Sequence, residues 1–125
     1  MKKCEKELMQ VDLDFCEKSK TSLEDAWDFY MSEKVIMGTG KHEPYLEKKP
    51  QIIKLIEMTY KLEGIDFTWA PDHVFVSEDE TLGVTTGKYT RKYIIEGREN
   101  IQVGKYCTTW QKEKGLWKIV LDIGN

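Results

Sequence analysis

The sequence is short of the residues from which metal centres, disulfide frameworks and nucleophile motifs are assembled. It has three cysteines, two histidines and three prolines in 125 residues. Cys4, Cys16 and Cys107 are odd in number, far apart and without a Cys-x-x-Cys pair, which excludes a disulfide framework or a cysteine zinc site. They read as small buried thiols in a reducing, cytoplasmic setting. His42 and His73 are also far apart, each near a proline, whereas a metal needs three or four converging ligands, so no metal is expected. Neither sign of charge dominates: 19 Lys and Arg stand against 22 Asp and Glu, a net charge of −3. Nucleic acid calls for clustered excess cations, and the two short basic spots, Lys48-Lys49 and Arg91-Lys92, read as solvated surface. No apolar run approaches the roughly 20 residues of a membrane span, and no signal peptide is visible, so no membrane partner is expected.

What is present is a switch of period. Cys4, Leu8, Val11 and Phe15 recur at helical spacing and predict an amphipathic helix over roughly residues 3 to 19. Ser22, with Asp25 three residues on, resembles a capping box opening a second helix that carries Leu23, Ala26, Trp27 and Tyr30 and ends near Ser32. Val35-Ile36-Met37 predicts a short strand. A Gly- and Pro-containing loop over 38 to 50 leads to a third helix that starts at Pro50 and closes at Gly64.

From Ile65 on the pattern is period two. Strands are expected at 65–69, 74–76, 82–95, 101–110 and 116–123, with Pro71 interrupting the first pair. Gly83 and Gly87 inside the long run suggest a bulge or bend. The last two runs form a hairpin around Gln111–Gly115, expected at the centre of the sheet. Strict alternation puts Trp117, Ile119, Leu121 and Ile123 on one face of the last strand and Val120, Asp122 and Gly124 on the other. Helices followed by hairpin-linked strands mean α+β: one domain over 1–125, with three N-terminal helices packed on a strongly curved antiparallel sheet. A curved sheet closed by helices leaves a hollow, the usual geometry of a small-molecule site.

The ordered series of Leu23–Tyr30, Val35-Ile36-Met37, Trp69-Ala70-Pro71, Leu82–Gly87, Gly104-Lys105-Tyr106 and Trp117–Asn125 resembles the SnoaL-like, ketosteroid-isomerase-like group of the nuclear transport factor two-like superfamily. The resemblance covers roughly residues 8 to 125. It implies a cone-shaped fold and a homodimer through the sheet, but little about chemistry, because the fold hosts isomerases, cyclases, dehydratases, hydrolases, binders and assembly domains. Steroid isomerases of the group take their base from near the end of the first strand and a tyrosine from the first helix. Gly38 stands where that base belongs, and Asp14 and Phe15 occupy the helix positions, so the steroid chemistry does not carry over.

Asp122 is the remaining acid/base candidate, because polyketide cyclases of the group use a sheet aspartate in a similar role. On a concave apolar wall its pKa would rise. The alternative is a structural aspartate held by Trp, Tyr or backbone donors. Trp27, Tyr30, Met37, Trp69, Tyr89 and Tyr106 are the expected ligand contacts, against the alternative of core and dimer interface. His42 joins them as part of a loop expected to roof the hollow, the alternative being a surface histidine. Tyr89, Arg91 and Tyr93 share a strand face. Gly38-Thr39-Gly40-Lys41 lacks the glycine and hydroxyl spacing of a phosphate loop.

Two functions follow. One is a pocket protein for a small apolar or aromatic ligand, either a binder or an acid/base enzyme of the isomerase, cyclase or dehydratase type working without metal or organic cofactor. The other is a non-catalytic assembly domain, as in the kinase association domains of the superfamily.

Overall fold

The computed structural model describes residues 1–125. Three helices, α1 (Lys3–Thr21), α2 (Leu23–Tyr30) and α3 (Lys49–Tyr60), pack against one five-stranded sheet. Its strands are β1 (Met31–Gly38), β2 (Glu63–Val76), β3 (Leu82–Ile95), β4 (Arg98–Glu113) and β5 (Leu116–Gly124). The order across the sheet is β1-β5-β4-β3-β2, so the C-terminal hairpin lies in its interior. β2 through β5 pair antiparallel, but β1 runs parallel to β5. The sheet is thus antiparallel, as expected, except at that edge, where β1 follows α2 without a loop and enters alongside the last strand rather than against it.

Two tight hairpins fix the register of the long strands. Glu96-Gly97 and Lys114-Gly115 all have positive φ, between 51° and 80°. This is the mirror-image turn that matches strand twist, and it accepts glycine readily at its second position. Between these turns β3 and β4 pair without interruption from Leu82↔Gln111 to Ile95↔Arg98.

The glycines expected to bulge β3 do something else. A Cβ at Gly83 would lie 2.5 Å from Leu8, and one at Gly87 would lie 2.1 Å from the Ala70 carbonyl and 2.7 Å from the Tyr106 hydroxyl. They make room for side chains lying across the sheet. The irregularity falls opposite Gly87, on β2 between Pro71 and His73. Pro71 therefore does not end the strand, which runs through it.

Local boundaries shift for similar reasons. β1 takes in Met31–Lys34, so α2 stops at Tyr30, and the Ser22 side chain makes no cap hydrogen bond. α1 buries Leu8, Asp12, Phe15, Cys16 and Ser19, a stripe at helical spacing that includes two polar residues. Phe15 is the hub of the core, with ring centroids 4.7 Å from Trp27, 5.0 Å from Trp69 and 6.4 Å from Trp110. The fully buried Trp110 donates its indole N–H to Thr85 Oγ1 at 3.0 Å. Of the three thiols only Cys16 is buried; Cys4 is half-buried, and Cys107 is exposed because its position points away from the helices. No helix is long and apolar enough to cross a membrane.

Candidate functional site

Between the helices and the concave sheet face lies a cavity of about 570 Å³, within the size range of small-molecule sites. Phe15, Trp27, Leu55, Ile56, Phe67 and Trp69 supply much of its apolar wall. Residues 38–41 and the C-terminal Gly124 and Asn125 border it as well.

A break in β5 aims Asp122 into this space. Trp110 pairs with Ile119, but Thr109 pairs with Leu121, leaving Val120 as an extra residue. Beyond it the alternation is inverted relative to strict period two. Asp122 thus shares the inner face with Trp117 and Ile119, opposite Thr108, whose hydroxyl donates to Asp122 Oδ1 at 3.0 Å. The expected grouping of Ile119 with Leu121 and Ile123 is corrected accordingly. Removal from water pushes the Asp122 carboxyl up to about 6; the Thr108 hydrogen bond opposes the shift and the charge of Asp12 adds to it. Its accessible area opens on the cavity.

Asp12 is the second acid of the wall, and the sequence reading missed it. It is almost fully buried on α1. Its Oδ1 accepts the Trp69 indole N–H at 3.0 Å and its Oδ2 accepts the Tyr106 hydroxyl at 2.8 Å. Burial raises its pKa, while the hydrogen bonds from Tyr106, Thr85 and Trp69 pull it back down. Tyr106 is pushed far above an ordinary phenol by burial and by the negative charge of Asp12, so its proton stays in place. Leu8 and Phe15 flank Asp12 at spacings of four and three, and that position on an apolar helix face was the available signal.

Trp27, Met37, Trp69, Tyr89, Tyr106 and Asp122 all border the cavity. Tyr30 does not: it is buried against Phe15 and Phe29, with centroids 5.0 Å away in each case, and is part of the core instead. His42 does not either. Gly38 to Lys41 reach the cavity, but the chain then turns and His42 is exposed. Arg91, read from the sequence as solvated surface, lines the cavity with its guanidinium 4.9 Å from the Phe67 ring centroid and 5.7 Å from that of Tyr89.

The wall holds two carboxyls of raised pKa, a locked phenol and an arginine. That set can bind a polar organic molecule and exchange a proton with it. No three His, Cys, Asp or Glu side chains converge as a metal site would require.

No protein-family model matches the sequence, and no curated protein matches it. Solved structures do match in shape. A conserved protein from Planctomyces limnophilus superposes with a TM-score of 0.79 at 15% identity, covering 94% of this chain and 93% of that one. A nuclear transport factor two-like protein with a cystatin-like fold from Novosphingobium aromaticivorans gives 0.78 at 13% identity, covering 95% and 79%. The association domain of C. elegans CaMKII gives 0.74 at 9% identity, covering 96% and 93%. The fold of this chain is therefore the nuclear transport factor two-like, cystatin-like fold.

Proposed function

We propose that the chain is a small-molecule-binding protein of the SnoaL-like, ketosteroid-isomerase-like type, with Asp122 as a general acid/base acting on a ligand held in the cavity. The observation that carries this reading is the Asp122 carboxyl in the wall of a largely apolar cavity with Thr108 as its one side-chain donor, surroundings that push its pKa up to about 6. At neutral pH such a group is mostly ionised but more basic than an ordinary aspartate, and it can return the proton at little cost. Tyr106 and Thr108 are neighbours on the inner face of β4, so the phenol lies near the same reaction space. With its proton directed at Asp12, Tyr106 offers oxygen lone pairs to the ligand and fixes the shape of the wall. The chemistry supported is proton transfer at carbon or oxygen, as in an isomerisation, cyclisation or dehydration. Unpaired cysteines suit a reducing compartment such as the cytoplasm.

The test is Asp122→Asn on any substrate found by ligand screening. Turnover falls by a factor of about 100 or more while ligand affinity changes little. Full activity in that variant removes Asp122 from the mechanism.

A second reading, assembly through the sheet, is favoured by the outer face. Ile101 and Val103 lie there as neighbours on β4 with 56% and 73% of their surface exposed, an apolar pair that a partner surface would cover. A homodimer through this face, compatible with a working cavity, predicts that Val103→Lys yields monomers in light scattering. A wild-type protein that is monomeric at high concentration contradicts it.

A further inference from the structure

The arginine in the cavity wall has no protein partner for its charge. Ion pairs in the chain involve Lys3, Lys20, Lys49 and His73, none of them Arg91. Arg91 does not contribute to the titration of either cavity aspartate. Its guanidinium carbon lies close to the Phe67 and Tyr89 rings, contacts that attract the charge but accept no strong hydrogen bond. Its Nε is buried and without an acceptor. The other buried donor without a partner, Trp27 Nε1, belongs to a neutral indole that lines the same cavity and brings no charge to be met. A guanidinium in the cavity wall with no carboxylate beside it is an uncompensated charge, and its terminal Nη pair fits a carboxylate in two parallel hydrogen bonds.

Register separates this fork from the acid/base group. Arg91 pairs with Gln102 on β4, whereas Asp122 pairs with Thr108. Six positions of extended strand are about 20 Å, shortened here by sheet curvature and by the reach of the arginine. Between the two, Tyr89 and Tyr106 follow one another along the inner face.

We infer that the cavity selects an elongated organic anion, a carboxylate whose charged end docks on the Arg91 edge and whose apolar body runs over the tyrosines toward Asp122. The inference rests on the proposed cavity reading and adds the chemical class of the ligand. The acid group is the handle, and the reacting carbon lies at the opposite end of the molecule. A ligand whose carboxylate sits directly on its reacting centre does not satisfy both ends at once.

The test uses 6-phenylhexanoate and 6-phenylhexan-1-ol, which share a body and differ in the charge of the head. Both are titrated calorimetrically into the wild type, Arg91→Met and Lys41→Met, the last removing the other cavity-lining cation. The wild type binds the acid about tenfold to a hundredfold more tightly than the alcohol. Arg91→Met reduces the acid to the affinity of the alcohol and leaves the alcohol unchanged, while Lys41→Met alters the acid less than threefold, on the order of surface charge effects. Equal binding of acid and alcohol by the wild type, or acid binding that survives Arg91→Met, overturns the inference and leaves the cavity reading intact. Failure of both ligands to bind at millimolar concentration removes the cavity reading, and the anion site with it. An Arg91→Met variant that does not fold is replaced by Arg91→Lys, which keeps the charge but not the fork and loses a smaller part of the preference.

Discussion

Asp122 and Asp12 show how two carboxyls in one wall take different parts. Asp12 has a donor on each oxygen, Trp69 on Oδ1 and Tyr106 on Oδ2, so its role is to hold other side chains. Asp122 has one donor, Thr108, and space in front of it. The difference has a consequence for stability. The folded pKa of Asp122, about 6, is above that of an unfolded aspartate, near 3.9, so the native state binds the extra proton. The contribution of Asp122 to stability is full below about pH 4 and is lost as pH rises toward and through 6. Asp122→Asn removes that loss. Chemical denaturation at pH 4 and pH 7.5 should show a smaller decline for the variant than for the wild type, by an amount not above ~3 kcal/mol. An unchanged decline contradicts the raised pKa.

At the scale of the element, the strands are shaped by where they lack side chains. Gly87 lets β2 and the Tyr106 ring approach β3 together, and Gly104 leaves 2.7 Å between its missing Cβ and the Tyr89 ring. Gly87→Ala pushes on the Ala70 carbonyl and on the hydroxyl that holds Asp12. It should cost about 1–3 kcal/mol in denaturant melts, as overpacking does, and weaken ligand binding by displacing Tyr106. Wild-type stability in that variant would mean that the close approach is not required. The same scale separates what the sequence revealed from what it concealed. The helices, the two long hairpin strands and the turns at Gly97 and Gly115 were legible because period and turn chemistry agree there. The bulge at Val120 was not, since nothing in Ile119-Val120-Leu121 distinguishes an extra residue from a regular strand, and it decides where Asp122 points. Apolar spacing alone does not mark Asp12, because the buried stripe of α1 contains an aspartate and a serine. Arg91 shares a strand face with Tyr89, but a basic pair in a strand carries no mark of which side is enclosed.

For the whole molecule, the sheet and the helices divide the work. The sheet supplies Asp122, Thr108, Tyr106, Tyr89 and Arg91 from a rigid, mostly antiparallel ladder, while α1 and α3 close the space with Asp12, Phe15, Leu55 and Ile56. Fold likeness to proteins at 9% to 15% identity extends to this architecture and not to chemistry, so the reaction has to be read from the wall itself. The most direct measurement is the titration of the Asp122 side-chain carboxyl by carbon-detected nuclear magnetic resonance, assigned by the signal missing in Asp122→Asn. A midpoint near 6 is expected. A midpoint near the ordinary aspartate value, about 4, would mean that the carboxyl is solvated and that Asp122 is not a tuned acid/base group.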